Sequence, residues 1–126
     1  MKTRILFVDD EPNLLYGLQR LLRPMREQWE MYFATNGREA MELMQQNPCE
    51  VVVTDLFMPE QEGLETIMAL RLKHPDTKIV AISGGGYQSK FTRALDIATK
   101  LGATSTLQKP FSSQQMIHVL QEVIHV

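Results

Sequence analysis

The stretch VVVTDLFMP (residues 51–59) holds three valines and a threonine, then an aspartate, then a loop that reaches Pro59. The β-branched run predicts a strand buried on both faces, as in a parallel sheet covered by helices. Asp55 then stands at the strand's end. Aspartate is poor strand material and is rarely buried without a partner. The remainder of the chain has to supply that partner.

Working outward, four more short apolar runs end in polar loops: ILFV (5–8), EMYFA (30–34), KIVAI (78–82) and STL (105–107). Amphipathic stretches with helical spacing lie between them. Leu14, Leu18, Leu21 and Leu22 follow Pro12, which suits the first turn of a helix. Asn36 with Glu39 three residues on predicts a capping box, with Ala40, Leu43 and Met44 as the stripe behind it. Leu64, Ile67, Met68 and Leu72 form a third stripe, stopped near His74–Pro75. Phe91, Ala94, Leu95, Ala98 and Leu101 form a fourth, ended by Gly102, and Met116, Ile117, Leu120, Val123 and Ile124 form the last.

Five βα repeats predict an α/β fold: a doubly wound, five-stranded parallel sheet with five helices and the flavodoxin-like order 2-1-3-4-5. Ligands of such sheets bind at the carboxyl ends of strands 1 and 3. The 126 residues suffice for one domain, expected over 1–126. Composition is that of an ordinary globular chain, 44% hydrophobic and 22% charged. A net charge of −2 offers no basic field for nucleic acid or an anionic membrane. The start MKTRILFVDDE lacks a small-residue cleavage site, and no apolar run is long enough to cross a bilayer, so a cytoplasmic chain is expected. The lone Cys49 excludes an internal disulfide and reads as buried apolar filler.

With that strand order, several strand ends converge on one crevice. Strand 1 delivers Asp9 and Asp10, with Glu11 behind; strand 3 delivers Asp55; strand 4 delivers Ser83 and then Gly84, Gly85 and Gly86; strand 5 leads to Lys109 and Pro110. Carboxylates so close repel one another unless a cation relieves them. Mg²⁺ takes oxygen ligands and tolerates a site of one or two carboxylates plus a phosphate. Asp55 can then attack phosphorus and form an acyl phosphate. Lys109 supplies a point charge to the phosphoryl group, Ser83 a hydroxyl, and Gly84 a backbone N–H that no Cβ shields.

FVDDEPN (7–13), VVVTDLFMPEQEGLE (51–65), IVAISG (79–84) and LQKPF (107–111), in this order and spacing, resemble the receiver domain of two-component response regulators, over essentially the whole chain. The resemblance implies Asp55 as phosphoacceptor, Asp10 as direct metal ligand, Asp9 assisting through water, and the Phe57 backbone carbonyl completing the protein's share. It implies Ser83 and Lys109 as phosphoryl contacts and a cis peptide before Pro110. The implied donor is a histidine kinase or phosphotransfer protein. The implied output face is helix 4, strand 5 and helix 5, with Arg93, Lys100, Gln115 and Val119 as candidates.

One position departs from the family pattern. Three residues before the lysine, receivers often carry an aromatic that swings inward; here it is Thr106. A change of order in the Gly84–Gly86 loop is the expected substitute. Phe57 and Gly85 hold the two positions that usually tune phosphate lifetime.

Other classes fit less well. A flavin carrier needs a phosphate-cradling first loop, and DDEPN repels phosphate. A haloacid-dehalogenase-type phosphatase needs two aspartates two apart, and Glu11 stands two after Asp9. The GGG run lacks the GK[ST] of a phosphate loop. His118 and His125 lie about 10 Å apart along a helix, too far to share a metal. A receiver cut from a longer regulator with an effector domain, or a phosphate-independent pseudo-receiver, stays open.

Overall fold

The computed structural model describes residues 2–56, 62–84 and 96–125. Five strands, β1 (Thr3–Val8), β2 (Trp29–Ala34), β3 (Val51–Asp55), β4 (Lys78–Gly84) and β5 (Ser105–Lys109), form one parallel sheet in the order β2-β1-β3-β4-β5. The helices among the described residues are α1 (Pro12–Leu21), α2 (Gly37–Gln46), α3 (Glu62–Lys73), α4 (residues 96–101 of it) and α5 (Ser113–Ile124), with a 3₁₀ turn at Arg23–Met25.

Alternation along the central strands builds two cores. Leu6, Val8, Val52, Ile79 and Ala81 pack with Met44 of α2, Ile67 and Leu70 of α3 and Ala98 of α4. Ile5, Phe7, Val51, Val53, Val80 and Ile82 pack on the other face with Leu15 and Leu18 of α1 and Met116 and Leu120 of α5. Every residue of β3 is buried, because both of its faces are covered. Cys49 is buried too, and burial first of all pushes its thiol up to about 12, so it remains protonated filler.

Two helix stripes differ from the sequence reading. In α1 and just beyond it, Leu15, Leu18 and Leu22 are buried, whereas Leu14 is half-buried and Leu21 is 48% exposed. In α3, Thr66, Ile67 and Leu70 are buried with Gly63, while Met68 and Leu72 are 55% and 81% exposed. Both helices carry leucines on more than one side, so periodicity alone could not select the packed side. Glycine and threonine take core positions on α3 because that face lies close against the sheet.

The caps differ as well. Asn36 accepts from the Glu39 N–H at 2.8 Å, but the Glu39 carboxylate turns to the Thr35 N–H and hydroxyl, so only half the box forms. Among the described residues, a complete capping box forms from Ser112 with Gln115 at the start of α5. Gly102 ends α4 at φ +114°, as its position after the stripe predicts. Among the described residues, no helix is long and apolar enough to cross a membrane.

Candidate functional site

The site grows out of the strand ends. Asp9 extends the β1 ladder by one bond, from its N–H to the Ala34 carbonyl at 3.1 Å. Its carboxylate then accepts the Glu11 N–H at 2.9 Å, turning the chain into α1, where Pro12 needs no donor. Asp55 closes β3, and the next residue, Leu56, donates its N–H to Ile82 of β4 at 2.8 Å. Lys109 is the last residue of β5, paired in register with Gly84. Its strand therefore runs two residues beyond the apolar run read from the sequence.

Lys109 reaches back across β4 and β3. Its Nζ stands 2.8 Å from Asp55 Oδ2 and 3.2 Å from Asp9 Oδ2. Asp9 and Asp55 are buried, whereas Asp10 is exposed. Carboxylate oxygens of Asp9, Asp10 and Asp55 nevertheless lie within 4.8 Å of one another. Burial is the main reason the Asp9 carboxyl is pushed up to about 6, and the Asp55 charge adds to it; the Glu11 N–H and Lys109 act the other way. For Lys109, burial opposes the charge, but Asp55 and then Asp9 outweigh it and hold the ammonium above its ordinary value. Among the described residues, three carboxylates against the Lys109 ammonium leave an acidic excess of hard oxygen donors. That donor set fits a divalent cation such as Mg²⁺.

Ser83 lies one residue beyond Ile82, the register partner of Asp55. Its hydroxyl is fully buried and has no hydrogen-bond partner among the described residues. A buried polar atom left so is costly unless a ligand oxygen completes it. Among the described residues, a Cβ at Gly84 would meet nothing within 4 Å. Gly84, Lys109, Pro110 and Phe111 also border a groove of about 530 Å³ whose far wall includes Leu14, Leu18 and Leu21 of α1. The exposure of Leu21 is explained there: it faces this groove.

Other singled-out residues separate from the cluster. Glu11 is exposed, and Thr106 sits on the exposed side of edge strand β5. The Lys109–Pro110 peptide is cis. Lys100 and Gln115 are exposed; Val119 is half-buried and packs on the core. His118 is exposed and pairs with Glu122 one turn on, at 2.7 Å. Phe57, Gly85, Gly86 and Arg93 lie outside the described residues. Sequence reasoning gave Lys109 to a phosphoryl oxygen and missed its bond to Asp9. The signal was present, since three acids at one edge call for every available cation.

A response regulator receiver domain family model matches residues 5–121. The chain belongs to that family, whose members are signalling modules of two-component systems. The transcriptional regulatory protein SrrA of Staphylococcus aureus is 32% identical over 117 residues, 93% of this chain and 46% of that protein. The chain thus spans about half the length of the curated relatives it matches. Among solved structures, the signal receiver domain of an HD domain-containing protein from Pseudomonas fluorescens Pf-5 superposes with a TM-score of 0.87 at 22% identity, covering 99% of this chain and 96% of that one. The chemotaxis response regulator CheY4 of Vibrio cholerae gives 0.82 at 26% identity, covering 98% and 99%.

Proposed function

We propose that this receiver takes a phosphoryl group onto Asp55 from the phosphohistidine of a kinase or phosphotransfer protein. The observation that carries the reading is the bridge from Lys109 to two buried carboxylates, 2.8 Å to Asp55 and 3.2 Å to Asp9, at the switch point of the sheet. A carboxylate oxygen of Asp55 supplies the electron pair to phosphorus. The P–N bond to the donor histidine breaks, and that nitrogen leaves with its pair. Lys109 balances charge gathering on the phosphoryl oxygens, and Ser83 and Gly84 offer a hydroxyl and an N–H to them. Asp9, Asp10 and Asp55, with the Phe57 carbonyl, would hold Mg²⁺, which when bound neutralises phosphoryl charge and orients the group.

In this reading the whole of residues 1–126 is one receiver, working in the cytoplasm, with self-phosphorylation and self-dephosphorylation as its only chemistry. Output passes to a protein partner on the α4–β5–α5 face, through Arg93, Lys100, Gln115 and Val119. Thr106 and Pro110 lie on the route to that face. The half-length overlap with the curated relatives supports a second arrangement, in which output goes to an effector domain of a longer protein.

Intact mass after incubation with Mg²⁺ and acetyl phosphate tests the reading, with Asp55→Asn beside the wild type. A phosphoryl adduct that requires Mg²⁺ and is absent from the variant is the expected result. An unmodified wild type that also ignores beryllofluoride would leave a phosphate-independent interaction module as the better account.

A further inference from the structure

The helical glycines Gly17 and Gly63 meet different surroundings. A Cβ at Gly17 of α1 would have nothing within 4 Å among the described residues. A Cβ at Gly63, the second residue of α3, would overlap the Asp55 carbonyl oxygen and lie 2.6 Å from Leu56 Cα and 3.0 Å from Leu56 C. Those are backbone atoms, which cannot swing aside as a side chain can. The same peptide is gripped from β4, where the Leu56 N–H meets Ile82 at 2.8 Å, and the Asp55 carboxylate is held by Lys109. The first turn of α3 therefore presses directly on the backbone that carries Asp55. A helical glycine is otherwise unfavourable, so its presence against this peptide has a steric reason.

We propose that Gly63 is a positioning residue for Asp55: lacking a Cβ, it lets α3 seat the Asp55–Leu56 peptide so that the carboxylate stands in register with Asp9 and Lys109. The role rests on Asp55 as the phosphoryl acceptor. Any side chain at 63 moves either α3 or the Asp55 backbone. A misplacement of about 1 Å at a reacting group costs on the order of 100-fold in rate.

The test separates placement from stability by using Gly17 as a compensator. Gly17→Ala fills open space on a helix and raises the Tm by roughly 2–4 °C. Gly63→Ala is then built in that background. Folding is checked by circular dichroism, and Mg²⁺-dependent phosphorylation by acetyl phosphate is timed well below the Tm of each protein. Calorimetry gives Mg²⁺ affinity without any phosphodonor. The expected result is a folded double variant whose phosphorylation is about 10- to 100-fold slower than in Gly17→Ala, with weakened Mg²⁺ binding. Transfer within about twofold of an active Gly17→Ala parent would overturn the positioning role alone. So would a double variant that does not fold, since Gly63 would then serve the fold and not the site. A wild type and parent that take no phosphoryl group would overturn the function itself, and the positioning role with it.

Discussion

The two ends of the same sheet are built on opposite terms. At the amino-terminal end, polar groups are tied off: the Lys78 N–H meets Glu50 O at 2.9 Å, the Thr77 hydroxyl meets Cys49 O at 3.1 Å, and the Thr104 N–H meets Ile79 O at 2.7 Å. Arg71 reaches from α3 to the Pro75 and Thr77 carbonyls and packs beneath Gly102, and its buried Nε has no partner among the described residues. At the carboxyl end, two buried carboxylates share one lysine, a third stands within 4.8 Å, and the Ser83 hydroxyl has no partner among the described residues. One end lowers the free energy of the fold; the other holds unfavourable charge in place for a ligand to relieve.

The largest expected effect comes from the satisfied end. Arg71→Ala removes two bonds to carbonyls and the packing against Gly102, and should destabilise by about 2–3 kcal/mol. Denaturant unfolding measures it, and Mg²⁺ affinity of the folded variant should be unchanged. A loss of Mg²⁺ binding in proportion to stability would erase the distinction between the ends.

At the carboxyl end the sign reverses. The Asp9 carboxyl is raised from 3.8 to about 6, so between those values the native state keeps a proton that the unfolded chain has released. Metal-free stability contributed by this group is present at low pH and is lost as pH rises through that window. Asp9→Asn removes the slope, and above pH 6 it should be more stable than the wild type by about 1 kcal/mol, allowing for solvent screening at a partly hydrated cluster. Saturating Mg²⁺ should reverse the order, because an ion that binds the native wild type more tightly than the variant adds more to its stability. Thermal unfolding across pH 4 to 8, with and without Mg²⁺, reads both.

Ser112→Ala, at the carboxyl end but outside the acidic cluster, removes the cap of α5 and should cost about 1 kcal/mol with no change in the Mg²⁺ response. The smallest effect is Leu72→Gln. This leucine is 81% exposed, and the change should stay within about 0.5 kcal/mol by the same unfolding measurement. A larger loss would restore it to the apolar stripe that spacing alone assigns.

Much of the fold was legible because a parallel sheet leaves a strong local imprint. VVVT is buried on every residue since both faces of β3 are covered, and Pro12 and Gly102 by their backbones and Asn36 by its side chain punctuate helices. The leucines of α1 and α3 were less legible, because each helix has apolar residues on more than one side. The Glu39 carboxylate was misassigned for a similar reason: Thr35 offers it two donors, an N–H and a hydroxyl, and outcompetes the Asn36 N–H.

By itself, then, the chain determined which residues arrive at the carboxyl edge, since each of Asp9, Asp55, Ser83 and Lys109 is placed by the end of its own strand. Periodicity and turn chemistry act over a few residues, so they are written locally. Only the tertiary structure decided how those residues divide the charge. The bond from Lys109 to Asp9 spans 100 positions of sequence, and it depends on crossovers that set β5 two strands away from β3. The seat of Asp55 was decided the same way, by a helix turn pressing on a peptide that no local pattern places beside it.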